Sequence, residues 1–278
     1  MLRVARAAIF AVLPGEFLIL ILLIAGVELP RAVPVWTEAV VLVLLVFEAA
    51  VAAWLWRGHR QSGLSGRTAA RAAYEDLVPL KVRRIVGFDF KGLVSLFLFA
   101  ARRRHGVPDG TTPVSYHREQ NAIMMMFMVA MVIEAVTVDL LLRAIDAPGP
   151  LRKIILAADV YGILVGLAIA AAAVTRPHVI SQDELRLRSG GYFDLRIPRE
   201  LIASVRRARN FSESGWFVLE DEKFALAVSS QTNLVVELSE PVTLTRPLGA
   251  QAEVSMIRFF ADKPEEAFAA LAATLERS

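Results

Sequence analysis

The chain has 278 residues, of which 55% are hydrophobic and 21% are charged, and its formal net charge is +3. It contains no cysteine, which excludes disulfides, thiolate metal sites and cysteine nucleophiles. A mean hydropathy of +0.50 is typical of a membrane protein with one small soluble domain, not of one large globule.

Four apolar stretches, each about twenty residues long, occupy residues 7–27, 35–56, 122–142 and 154–174. A helix of about twenty apolar residues crosses a hydrocarbon core roughly 30 Å thick. The sequence therefore predicts a membrane all-α four-helix bundle. Residues 1–57 would form transmembrane helices 1 and 2, and residues 121–175 would form transmembrane helices 3 and 4.

The segment between the two helix pairs, residues 58–120, is rich in arginine and lysine, whereas the connection inside each pair carries few cations. The positive-inside rule places such a segment in the cytoplasm. We therefore expect a multi-pass protein of the cell's inner (plasma) membrane, with its N-terminus, C-terminus and C-terminal domain in the cytoplasm.

An apolar run at residues 93–101 of this segment is too short to span a bilayer and should lie in the membrane interface. Lys91 precedes the run, and Arg102, Arg103 and Arg104 follow it. Such cations suit anionic lipid headgroups, and they are equally typical of a cluster that only sets topology. The sequence predicts an interfacial helical insert at residues 58–120 and leaves both roles open.

Acidic residues fall inside all four apolar stretches, where an ionised carboxylate is costly unless it is paired, hydrated or protonated. They are Glu16, Glu48, Glu134, Asp139 and Asp159. The first three should lie near mid-membrane and could form a proton or cation site. Alternatively, they are protonated and hydrogen-bonded, or they pair with cations of a partner subunit. Arg143 lies at i+4 from Asp139 and can pair with it.

Small residues recur every fourth position in the last apolar stretch, and they are Ala158, Gly162, Gly166 and Ala170. Such a stripe allows another helix to approach closely inside a membrane. The sequence predicts a helix-packing surface whose partner is transmembrane helix 3 or a second subunit.

After residue 178 the hydrophobic period changes from 3.6 to 2, as in Leu185 and Leu187, which alternate with Arg186 and Arg188. Asp262 and Glu265 form a D-x-x-E capping pattern before an amphipathic helix. We expect strands at residues 185–188, 193–197, 202–207, 224–229, 234–238, 242–245 and 254–260, followed by one closing helix.

The segments 183–191, 197–205, 233–242 and 254–271 resemble bacterial PH-like domains, in particular those of actinobacterial multi-pass membrane proteins. The resemblance implies a cytoplasmic PH-like β-barrel/α domain at residues 178–278. It also implies a role in interaction or assembly, without chemistry of its own.

Together these patterns favour a non-catalytic membrane assembly or adaptor protein that presents its C-terminal domain to protein partners or to further copies of itself. The alternative is a proton- or cation-coupled transport component that uses the intramembrane carboxylates. No cofactor motif is present and the four histidines lack metal-ligand spacing, so we expect no cofactor, metal or enzymatic activity. Nucleic-acid binding is not expected, because the cations are interleaved with lipid-facing residues.

Overall fold

The computed structural model describes residues 32–275. These residues form six helices and nine strands. The chain divides into two compact units. Unit one comprises the chain up to Arg83 together with Glu134–Val160, and unit two comprises Arg84–Ile133 and Tyr161–Ser278.

Unit one contains a helix pair, α1 (Ala32–Gln61) and α2 (Gly66–Leu77). The Ser65 side chain accepts a hydrogen bond from Thr68 N and so begins α2. His59 Nε2 lies 2.9 Å from Asp76 Oδ2 and joins the two helices. The second helix ends at Leu77, two residues before Pro79.

A single helix, α3 (Leu80–Ala100), occupies most of the remaining predicted insert. The apolar run at residues 93–101 is the part of this region that the sequence predicts as an interfacial element. In the structure this run forms the C-terminal part of α3, and the charged residues Asp89 and Lys91 before it do not interrupt the helix.

Two further helices, α4 (Arg118–Ala144) and α5 (Gly149–Thr175), contain the third and fourth apolar stretches. Within the described residues they are the two helices that are long and apolar enough to cross a membrane. The prediction of a four-helix membrane bundle is therefore wrong. It counted apolar stretches by length and composition alone, a test that apolar helices outside a membrane also pass. The first stretch lies outside the described residues.

The first sheet is antiparallel and has the strand order β1-β2-β3-β4. Its strands are β1 (Thr112–Val114), β2 (His178–Ile180), β3 (Glu184–Ser189) and β4 (Phe193–Pro198). The predicted hairpin of β3 and β4 is present, with Leu187 opposite Leu195. The sequence analysis missed β1 and β2, because three residues are too few to show a period of 2.

The second sheet has the order β5-β8-β9-β7-β6, in which β7 and β9 are parallel. Its strands are β5 (Ile202–Asn210), β6 (Phe217–Glu220), β7 (Lys223–Leu226), β8 (Thr232–Thr245) and β9 (Gln251–Phe259). Two predicted strands are joined in β8, whose register shifts between Glu237 and Val242 where it pairs with β9. The last helix, α6 (Pro264–Leu275), follows.

One hydrophobic core lies among the two sheets and α6, and fully buried Leu187, Phe224, Ile257 and Leu271 belong to it. The nine strands form two sheets, and β1 comes from the segment before α4. The predicted fold class is therefore wrong. The described residues contain two β-sheets, which together with α6 we call the β-rich unit, and helices α4 and α5 lie between β1 and β2 in the sequence.

Candidate membrane interface

The surfaces of α4 and α5 are apolar and largely uncovered. In the most apolar eighteen-residue window of each helix, 6% of the residues of α4 and 17% of those of α5 are buried. The core helix of a soluble protein would be mostly buried, and large exposed apolar surfaces mark membrane or partner contacts. The two helices therefore indicate membrane association.

The predicted small-residue stripe of α5 faces α4. A Cβ atom built on Gly166 would lie 2.6 Å from Met128 Sδ, and one on Gly162 would lie 3.1 Å from Met131 Cε. A larger residue at either position would meet the end of a methionine side chain, which would have to move. In unit two the partner of Gly162 and Gly166 is thus α4; Ala158 is exposed and Ala170 is half-buried.

Both apolar helices are fastened to the β-rich unit at one end. Three residues separate β1 from α4, two residues separate α5 from β2, and Val114 of β1 pairs with His178 of β2. Asp262 Oδ1 accepts a hydrogen bond from Arg118 N at 3.1 Å, which satisfies a free amide at the beginning of α4. The carboxylate predicted to cap α6 therefore contacts the beginning of α4 instead, and its Oδ2 has no hydrogen-bond partner among the described residues.

A buried arginine stabilises the junction between α4, α5 and the β-rich unit. Arg188 is 1% exposed, and it donates hydrogen bonds to the carbonyl oxygens of Pro177 at 2.7 Å and His105 at 2.8 Å. Burial lowers the pKa of Arg188 to about 10. Its guanidinium clamps the loop that follows α3 to the connection between α5 and β2.

His178 lies fully buried beside this clamp. Its Nδ1 accepts a hydrogen bond from Arg188 N at 3.0 Å, and its Nε2 lies 3.2 Å from the Phe260 carbonyl oxygen, to which a neutral ring donates. The ring stacks on Tyr116 with 4.5 Å between centroids. Burial lowers the pKa of His178 to about 3 and raises the pKa of Tyr116 to about 12.

Two further arginines complete the cluster. Arg176, just after α5, donates to Ser95 Oγ at 3.1 Å, and its Nη1 lies 3.3 Å from His105 Nδ1. Burial, and then the Arg176 charge, lower the pKa of His105. Arg186 forms a two-point ion pair with Asp194. The cluster ties α3, α5 and β3 together and keeps its histidines neutral.

The two sides of α3 differ in unit two. Gly92 and Ser95 are buried, and a Cβ on Gly92 would lie 3.2 Å from Ala168 Cβ of α5. The other side exposes an apolar stripe, which we call the α3 stripe, consisting of Val86, Phe90, Leu93 and Phe97. Helical spacings of four, three and four residues place these side chains on one face.

The predicted lipid-contact cations lie next to this stripe. Arg102, Arg103 and Arg104 are exposed immediately after α3. Lys91 packs its Cβ within 3.0 Å of a Cβ built on Gly191, and its Nζ donates to the Gly191 carbonyl at 3.4 Å. Three of the four cations are therefore at the end of the stripe, and the fourth packs on the β3–β4 turn.

The structure does not bring the predicted intramembrane carboxylates together within the described residues. Glu16 and the side chain of Glu48 lie outside them, and Glu134 is exposed on α4. Asp139 pairs with Arg143 at 2.7 Å, as the i+4 spacing predicts, and also with Arg152 at 3.0 Å. Asp159 is half-buried, and its Oδ2 has no hydrogen-bond partner in the part of the chain that the structure describes.

The described residues contain no group of three or more side chains placed to hold a metal ion. A cavity of about 310 Å³ lies beside the junction, lined by residues that include Gln120, Tyr192 and Trp216. All of its lining side chains are uncharged.

Sequence reasoning missed the Arg188 clamp, His178 and the α3 stripe. Alternation predicted that Arg188 faces solvent with Arg186, and nothing in that alternation shows that the loop after α3 covers it. The stripe did leave a signal in the sequence, since Val86, Phe90, Leu93 and Phe97 follow the helical period.

No protein-family model matches the chain, and no curated protein or solved structure matches it either. The membrane interface is therefore the feature from which the function is inferred.

Proposed function

We propose that this chain is a non-catalytic membrane assembly or adaptor protein that presents its β-rich unit to protein partners on the cytoplasmic side of the inner membrane. In this proposal α4 and α5 cross the bilayer as a hairpin. The observation that carries it is the pairing of β1 with β2 at the base of both helices.

This pairing supports a rigid attachment of the β-rich unit to α4 and α5. The three residues between β1 and α4, and the two between α5 and β2, leave little freedom for the unit to reorient. The Arg188 clamp and the Asp262 contact stabilise the same junction. A domain held at a fixed height and orientation suits docking, because pre-organisation lowers the entropic cost of binding.

Orientation follows from the basic segment before α4, and the cysteine-free sequence allows a direct test. Single cysteines at Pro148→Cys, in the α4–α5 connection, and Ser229→Cys, in the β-rich unit, are treated with a membrane-impermeant maleimide. In intact cells only position 148 should react, and position 229 should react after permeabilisation. Labelling of position 229 in intact cells would reverse the orientation.

The adaptor role is tested by photo-crosslinking in native membranes. A photoreactive amino acid replaces Arg209, which is exposed on the edge strand β5, or Phe224, which is 1% exposed and serves as the control. We expect the same partner, or a second copy, to be captured repeatedly from position 209 and not from position 224. Capture from no exposed position of the β-rich unit would contradict the proposal.

Coupled transport makes a different prediction. Proteoliposomes containing the purified protein would then carry proton or cation flux, and Glu134→Gln would abolish this flux while the protein remained folded. We expect no flux and a tolerated substitution, because the Glu134 side chain is exposed on α4 and glutamine has nearly the same size and shape. Flux that depends on Glu134 would replace the adaptor proposal with the transport one.

A further inference from the structure

We infer that the α3 stripe and the arginines after it form a surface that lies on the cytoplasmic leaflet and prefers anionic lipids. The inference rests on the membrane placement in the proposed function. The occupant is the lipid surface itself, contacted by apolar side chains of α3 and by Arg102, Arg103 and Arg104.

The side chains of the α3 stripe are exposed. Phe90 is 68% exposed and Phe97 is 77% exposed. Val86 at 56% and Leu93 at 41% complete a continuous apolar face. The opposite face is occupied, since Gly92 and Ser95 are buried. Around Gly92 and Ser95, α3 thus has one protein-facing side and one apolar side that no other described residue covers, which is the pattern of a helix lying in a membrane interface.

The position of α3 along α5 also supports the inference. The Gly92 contact on α5 is Ala168, eight residues before Arg176. At 1.5 Å per residue, this contact lies about 12 Å from the basic end of the helix. Interfacial helices bury their apolar faces about 5–10 Å into the headgroup and acyl boundary. The stripe is therefore at a depth where lipid is available to cover it.

The positive charge beside the stripe favours lipid over a protein partner. The three exposed arginines follow the stripe directly and would meet the headgroups of an anionic leaflet. The buried centre of a protein interface is depleted in charge. In addition, two copies of this surface would each bring the same cluster of positive charge.

Depth is measured by spin-label accessibility in the full chain, reconstituted in phosphatidylcholine vesicles that contain phosphatidylglycerol. Labels are attached to Phe90→Cys and Phe97→Cys. Val132→Cys on α4 is the lipid-facing control, and exposed Glu240→Cys on β8 is the solvent-facing control. Labels at positions 90 and 97 should relax with oxygen more than with a water-soluble nickel chelate, as at position 132, whereas position 240 should show the reverse.

The membrane placement of α4 and the interfacial position of α3 are tested separately. If position 132 is also open to the nickel chelate, the membrane placement is wrong. If position 132 is in lipid while positions 90 and 97 resemble position 240, the inference about α3 alone is overturned. Spin–spin broadening between copies labelled at position 97 would identify a second copy as the occupant and would also overturn it.

Lipid preference is measured with spin-labelled phosphatidylglycerol and phosphatidylcholine. Replacing Arg102, Arg103 and Arg104 with glutamine should lower the preference for phosphatidylglycerol by up to about fivefold for each arginine. The matched control replaces three exposed arginines of β5 with glutamine (Arg206, Arg207, Arg209). An equal loss in both variants, or no loss in the first, would remove the claim of anionic-lipid selectivity.

Discussion

Acidification should unfold this protein partly through His178. The ring is completely buried, and both of its nitrogens are used by Arg188 N and the Phe260 carbonyl. Burial holds its pKa at about 3 in the folded chain, whereas an unfolded histidine titrates near about 6.5. Between these two values the unfolded state binds more protons, so stability falls as the pH falls through this window. Above about pH 6.5 the contribution of His178 is constant.

The size of the effect follows from the two pKa values. Lowering the pH from about 7.5 to about 5 should reduce the free energy of unfolding by about 2 kcal/mol through this histidine alone. For a chain of this size, that loss corresponds to a fall of roughly 4–8 °C in the unfolding midpoint. His105 adds to the loss in the same direction, because its pKa is also lowered.

The assay is thermal unfolding of the full chain in detergent, followed by tryptophan fluorescence at both pH values. His178→Gln keeps a donor and an acceptor but cannot be protonated, so it should be less stable at both pH values and lose less stability on acidification. His117→Gln, in which the replaced ring is partly exposed, should keep the native pH dependence. If His178→Gln loses as much stability as the native chain between the two pH values, the linkage argument is refuted.

Two substitutions test the packing of the junction and of the helix hairpin. Arg188→Met leaves buried carbonyls unpaired and should cost about 2–4 kcal/mol in thermal unfolding, partly offset because no charge is buried; Arg196→Met, at an exposed site on β4, should change stability by less than about 0.5 kcal/mol. Gly166→Leu should push α4 away at Met128 and destabilise the protein by about 1–3 kcal/mol. The same change at exposed Ala158 should be tolerated, and equal effects within either pair would contradict the assigned contacts.

The parts of the fold with a clear period could be predicted from sequence. Residues 122–142 and 154–174 lie inside α4 and α5, and alternation identified the β3–β4 hairpin. The spacing of Gly162 and Gly166 predicted a helix-packing surface, and both glycines face methionine side chains of α4, one of the two predicted partners. In each case the information is local, because a repeat within one segment defines which face packs.

What could not be predicted depends on contacts between distant segments. Three-residue strands such as β1 and β2 exist because each supplies the other with hydrogen-bond partners, and neither has a pattern of its own. Arg188 is buried by a loop more than eighty residues earlier, so its position in an alternating strand was misleading. The count of four spans failed because it used only the length and apolarity of each stretch, which do not separate a spanning helix from other apolar helices.

The pairing of β1 with β2 also bears on how the protein is made. The two strands are separated in sequence by the whole α4–α5 hairpin, so β1 leaves the ribosome long before its partner. In the proposed topology β1 can be joined only when α5 has returned the chain to the side on which α4 began. The first sheet would then be completed after the hairpin is inserted, and a β-rich unit with β1 in place would mark a chain whose insertion has succeeded.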